Sequence, residues 1–250
     1  MNIDLAGKRA VVTGGSRGIG RAIALAFAEA GAGVSICARG TEALAAAREE
    51  IARHGLTAHA AICDLADAAA IPRYIEEAAA ALGGGIDILV NNASAFGTSD
   101  DEAGWAASIS VDLLATVRAT RAALPHLEQS DAGAIINISS ISGFRASART
   151  PPYGAVKAAI LEYTQTTAAQ FARKGIRVNC IAPGSIEFPG GTWERAKNNA
   201  PNLYNAILRS IPFGRLGRPE EVARVALFLA SPLAGWVTGQ NIAVDGGQML

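Results

Sequence analysis

Cysteine is scarce in this chain. There are three, Cys37, Cys63 and Cys180, far apart and each in an apolar stretch. No pair has the CxxC spacing of a metal site, and an odd, scattered set makes no disulfide framework. The sequence therefore predicts no metal and three buried, reduced thiols. An excess of one charge is also missing. Lys plus Arg and Asp plus Glu both number 22, a formal net charge of +0. This lacks the basic footprint of a nucleic-acid binder, and it gives little electrostatic protection against self-association. No uninterrupted apolar run is long enough to span a bilayer. The opening Met1-Asn2-Ile3-Asp4-Leu5 has no basic region ahead of an apolar core, so no signal peptide is expected. Linkers, tandem repeats and low-complexity tails are absent. The expectation is a soluble, cytoplasmic protein.

What the chain does have is apolar sequence in a regular order. Its 250 residues are 50% hydrophobic, enough for a large core and against disorder. Strand-like runs at 8–13, 33–38, 57–63, 86–90, 134–139, 176–182 and 241–245 alternate with helical runs at 18–30, 41–54, 67–82, 108–127, 152–174 and 220–230. The strands are continuous apolar runs, the mark of strands buried on both faces. Together they predict a single doubly wound α/β domain of the Rossmann type over 1–250, a parallel sheet flanked by helices. The one long irregular stretch, 184–219, is rich in Gly, Pro and Asn and is expected to be a substrate lid.

The first strand runs into Thr13-Gly14-Gly15-Ser16-Arg17-Gly18-Ile19-Gly20. Glycines between a strand and a helix allow a tight turn and close backbone approach to a phosphate. The helix start offers free N–H groups and partial positive charge to a pyrophosphate. Gly14, Ser16, Arg17, Gly18, Ile19 and Gly20 are thus candidate cofactor contacts; the alternative is glycines that only ease packing. The second strand ends Cys37-Ala38-Arg39, without the acid that binds an NAD ribose. Arg17 and Arg39 suit a 2′-phosphate, which favours NADP(H) over NAD(H). Asp64-Leu65 and Asn91-Asn92-Ala93-Ser94 end the next two strands, where ligands bind in this architecture. Each is also placed to cap a loop.

Tyr153 and Lys157 stand four apart in one helical run and share a face. Tyrosine alone is a poor base at neutral pH. A neighbouring ammonium favours its phenolate and fits it for proton exchange with an alcohol or alkoxide. Alone, this spacing is equally a surface pair. Ser139-Ser140 ends the fifth strand just before, where a hydroxyl can hold a substrate oxygen.

With these residues in order, the sequence resembles the short-chain dehydrogenase/reductase family along essentially its whole length. The motifs are TGGSRGIG at 13–20, NNAS at 91–94, NISS at 137–140, YGAVK at 153–157, RVNCIAPG at 177–184 and VDGG at 244–247. It looks most like the compact bacterial members related to 3-oxoacyl-carrier-protein reductases. The resemblance implies an NADP(H)-dependent interconversion of a ketone and a secondary alcohol. Tyr153 would be the acid/base, Lys157 its partner on the nicotinamide ribose, and Ser140 the substrate-orienting serine. Pro183, Gly184 and Ile186 would contribute to cofactor binding, with Asn91 and Ala93. The fourth catalytic position, an asparagine in the family, is Asp112 here; its main-chain carbonyl is kept and a charge is added near Lys157. Phe188 stands where the family often has threonine, with Thr192 further on as a substitute. The resemblance also implies a homotetramer, or a homodimer, assembled through the Tyr153 helix and the C-terminal segment.

Substrate is expected between 140–149, 95–99 and the 184–219 lid, against Phe96, Phe144, Phe188 and Trp193, with Arg145 and Arg149 at the mouth. Two other functions stay open: an NAD(P)+-dependent dehydrogenase of a diol, steroid or sugar alcohol, and a catalytically weak NADP-binding sensor or scaffold. A nucleotide-sugar epimerase needs a larger C-terminal domain than this chain has.

Overall fold

Seven apolar strands that read as buried on both faces do form one parallel sheet. The computed structural model describes residues 3–250. Its strands are β1 (Arg9–Thr13), β2 (Gly33–Ala38), β3 (Ala58–Ile62), β4 (Ile88–Asn91), β5 (Ala134–Ile138), β6 (Arg177–Pro183) and β7 (Asn241–Val244). Their spatial order is β3-β2-β1-β4-β5-β6-β7, every pair parallel. The order reverses between β1 and β4, and a ligand crevice opens at such a switch point.

Helices cover both faces. α1 (Gly18–Glu29), α2 (Thr41–Ala52) and α9 (Pro219–Ala230) bury Phe27, Ile51 and Leu229 against one face with Ile36 and Val90. α3 (Ala70–Ala81) and α5 (Ala115–Leu127) bury Ile71, Ile75 and Leu127 against the other with Val11 and Leu89. α6 (Pro151–Phe171) completes that second layer. Cys37, Cys63 and Cys180 are free and buried. Among the described residues no helix is long and apolar enough to cross a membrane.

Two local expectations are corrected. The expected helix over 108–127 starts earlier, at α4 (Glu102–Ala107), where the Asp101 carboxylate caps the Gly104 N–H at 2.7 Å. It then passes through a π-helical segment, Ser108–Leu114, before α5. Widened turns of this kind recur at functional sites, and Asp112 sits inside this one. Second, the stretch 184–219 is not irregular throughout. It carries α7 (Thr192–Asn199) and α8 (Pro201–Arg209), separated where Pro201 starts a new helix. Gly40 is the N-cap of α2.

Candidate active site

The carboxyl ends of β1 to β4 open onto a cleft of about 500 Å³. Its floor is the glycine-rich turn, through Gly14, Ser16, Arg17, Ile19 and Gly20. Gly14 has φ +68, and a Cβ there would lie 3.0 Å from the Ala93 Cα. The turn is clamped to β4 by Asn92, whose Nδ2 donates to the Thr13 and Gly14 carbonyls at 2.9 and 3.1 Å. Arg17 is the N-cap of α1 and provides no side-chain cap. The first-turn N–H groups of the helix are therefore left for a ligand, as an anion requires. Ala38, Arg39 and Gly40 follow β2, and both Arg17 and Arg39 are exposed on the rim. Asp64 and Leu65 lie at the end of β3. The Asp64 carboxylate also closes its own loop, accepting the Ala66 N–H at 3.0 Å. Glycines that leave no room for a Cβ, an uncapped helix start and two rim arginines fit a dinucleotide with an added phosphate.

Several of the expected contacts are not among the residues that line this cleft. Asn91 is off the cleft. It is buried, and its Nδ2 donates to Asn137 Oδ1 at 2.9 Å and Thr120 Oγ1 at 3.1 Å. Asn137 in turn donates to Thr164 Oγ1 at 2.9 Å, tying β4 and β5 to α6. Successive strand side chains face opposite ways, so only one of the paired asparagines reaches the cleft, and it is Asn92. Pro183, Gly184 and Ile186 are also outside its lining. Gly184 packs against the C-terminal segment, its N–H bonded to the Val244 carbonyl at 3.0 Å. Ile186 is buried in the core and bridges to Gly217. Gly18 is covered by Phe188, whose Cζ would stand 2.7 Å from a Cβ on that glycine. Phe188 itself joins the lining, as do Ala95, Cys37, Cys63 and Val111; the last three have no sequence signal as ligand contacts. Thr192 is off the lining, near Arg195 Nη2 at 3.5 Å.

Next to the Ser94–Ala95 end of this cleft stands the titratable cluster. Lys157 is 2% exposed on α6, and its Nζ donates to the Ile138 carbonyl at 3.0 Å. The same nitrogen lies 3.1 Å from Asp112 Oδ1 and 5.5 Å from the centre of the Tyr153 ring. Asp112 is 1% exposed, and its Oδ2 accepts the Ala95 N–H at 3.0 Å. Oδ1 meets the ammonium off the line of a hydrogen bond, so that contact is electrostatic. Burial alone would push the Lys157 ammonium down. The Asp112 carboxylate, with Tyr153, outweighs burial and holds it above the usual lysine value. Cys180 lies beneath, its thiol pushed up to about 11 by burial. The Asp112 main-chain carbonyl accepts the Thr116 hydroxyl at 3.0 Å.

The two serines differ in what they bond. Ser139 Oγ donates to the Lys157 carbonyl at 2.7 Å and is spent on packing. Ser140 Oγ accepts the Ser142 N–H at 3.1 Å, which leaves its own O–H to donate. Tyr153 lies in the first turn of α6, behind Pro151 and Pro152. Phe96 meets its ring edge-on, centres 4.8 Å apart. Arg145 is tied by Nη1 to the Gln248 carbonyl at 3.1 Å. The buried Gln248 side chain in turn accepts the Ser185 N–H at 2.9 Å and donates to its hydroxyl at 3.1 Å.

A phosphate-accepting turn at the switch point of a doubly wound sheet, beside a lysine–tyrosine pair, defines a nucleotide-dependent oxidoreductase. The comparisons agree. The family described as Enoyl-(Acyl carrier protein) reductase matches residues 14–249. The chain is 41% identical to isoepoxydon dehydrogenase patN of Aspergillus clavatus, over 98% of this chain and 95% of that protein. It is 38% identical to the 3-oxoacyl-[acyl-carrier-protein] reductase FabG of Chlamydia muridarum, over 99% of each. A short chain dehydrogenase from Burkholderia cenocepacia, solved in complex with NADP, superposes with a TM-score of 0.91 at 33% identity, over 98% of this chain and 99% of that one. An NADPH-bound short chain oxidoreductase from Pseudomonas aeruginosa with an atypical catalytic center gives 0.88 at 36%, over 98% of each. The chain belongs to the short-chain dehydrogenase/reductase family.

Proposed function

We propose that this oxidoreductase uses NADP(H) to interconvert a ketone and a secondary alcohol, with Tyr153 as the acid/base. The observation that carries the reading is the buried Lys157 ammonium 5.5 Å from the Tyr153 ring, beside the Ser94–Ala95 end of the glycine-turn cleft. The nicotinamide, when bound, supplies or accepts the hydride. The Tyr153 hydroxyl gives its proton to the developing alkoxide in reduction, and its phenolate takes the proton back in oxidation. Lys157 stabilises that phenolate and holds the nicotinamide ribose. Ser140 donates its O–H to the substrate oxygen. Asp112 keeps Lys157 charged in a buried site. Arg17 and Arg39 bind the 2′-phosphate; the NADP held by the Burkholderia relative and the NADPH held by the Pseudomonas one support that choice.

The chain acts as one catalytic domain over 1–250, with 184–219 as the substrate lid. Exposed Phe213 and Trp236, the latter 100% exposed, suit a homotetramer or homodimer contact. The test is loss of the reduced-nicotinamide absorbance over a panel of ketones and 3-oxoacyl thioesters. Tyr153→Phe should lower kcat by about 10²-fold or more while NADPH still binds. Replacing Arg39 with Ala should raise the NADPH KM by roughly tenfold and leave NADH unchanged, as loss of a charged hydrogen bond predicts. Tyrosine-independent turnover would overturn the reading.

A further inference from the structure

The segment after β4 holds the one non-glycine residue with positive φ among the described residues, Phe96 at +50. Bulky side chains avoid that conformation, and such strain persists where the surroundings enforce it. Two hydrogen bonds do so here. Ser94 Oγ accepts the Phe96 N–H at 3.0 Å, and Asp112 Oδ2 accepts the Ala95 N–H at 3.0 Å. Asp112 is also the residue that stands where the family resemblance implies an asparagine, so that difference acts on this one turn.

The turn sets the Phe96 ring against the side of Tyr153, centres 4.8 Å apart and planes at 70°. The ring fills no core, for Phe96 stays 40% exposed. Ser94 and Ala95, just before it, line the cofactor cleft beside Val111 and Phe188. Phe96 therefore presents a partly exposed aromatic side chain beside the ring of the proposed acid/base. Aromatic surfaces pair best with other flat rings, edge-on or offset.

We propose that Phe96 is a specificity-determining residue, and that the substrate is a ketone whose carbonyl carbon bears a flat, apolar ring which lies against it. This rests on Tyr153 being the acid/base. The test is NADPH-dependent reduction of a phenyl methyl ketone and an open-chain methyl ketone of equal carbon number by wild type, Phe96→Leu and Ser94→Ala. Phe96→Leu keeps an apolar side chain and removes the flat face. Wild type should prefer the phenyl ketone, and Phe96→Leu should lose roughly tenfold in kcat/KM on it, as loss of an aromatic pair predicts. The same variant should change the open-chain rate by less than about twofold. Ser94→Ala keeps the Phe96 side chain but removes one of the two bonds that hold its turn, and should give a smaller loss on the phenyl ketone. A wild-type preference for the open-chain ketone or a 3-oxoacyl thioester, still dependent on Tyr153, overturns the assignment of Phe96 and leaves the catalytic reading standing. So does an equal loss on both ketones in Phe96→Leu. Turnover that survives Tyr153→Phe overturns both.

Discussion

The Asp112–Lys157 pair is a full ionic contact in a place with almost no water, and its worth depends on both partners staying charged. Removing one partner of such a pair leaves an uncompensated charge and costs roughly 3–5 kcal/mol. Asp112→Asn keeps the shape and the Ala95 hydrogen bond but removes the anion, so burial then acts on the ammonium with only Tyr153 and Cys180 near it. Lys157 titrates above its usual value in the folded protein. The pair's stabilisation is therefore complete below the ordinary lysine pKa and is lost as pH rises through the raised folded value. Asp112→Asn should bring the alkaline fall of kcat/KM to lower pH and remove part of the alkaline fall in Tm. An unchanged alkaline limb would mean that Asp112 sets position and not charge.

At the scale of elements, the site depends on how the turn after β5 seats on α6. Gly143 ends that turn, and a Cβ there would press within 2.7 Å of the Lys157 main-chain carbon and 2.8 Å of its oxygen. Backbone cannot yield as a side chain can, so Gly143→Ala should shift Ser140 relative to Tyr153. A displacement near 1 Å can cost on the order of 10²-fold in rate; kcat should fall that way while NADPH titration stays unchanged. The elements themselves were largely legible in sequence. Continuous apolar runs gave the seven strands to within a residue or two, and the glycine turn and the Tyr153–Lys157 spacing announced their helices. Sequence could not reveal what depends on distant partners. Asn91 and Asn92 are identical in type, and only the alternation of a strand separates network from cleft. The π-helical turn at Asp112 has no compositional sign. In 192–209 the short helices α7 and α8 are hidden by flanking Gly, Pro and Asn. Phe188 reads as a missing threonine, and nothing in its sequence says that the ring covers Gly18.

Across the whole molecule, Asp87 ties the sheet together at the end away from the site. Its carboxylate accepts the Arg9 N–H at 2.9 Å and Arg9 Nε at 2.8 Å, and the Ser130 hydroxyl at 2.6 Å. Burial alone would raise its pKa, but the Arg9 guanidinium and the Ser130 hydroxyl outweigh that and hold it below the usual carboxylate range. This stabilisation is present above the ordinary aspartate pKa and is lost as pH falls through the depressed folded value. Asp87→Asn should cost on the order of 2 kcal/mol at neutral pH and flatten the acid side of Tm against pH. A melting curve that keeps its full acid dependence would rule Asp87 out as the source. At the opposite end, Gln248 joins the strand-end segment at Ser185 to the Ser140–Arg149 wall through Arg145. Gln248 is thus tied to the segment that the proposed function puts at the substrate mouth. A purification tag fused after Leu250 would pull on that tie, so the ketone comparison belongs on protein tagged at the other end.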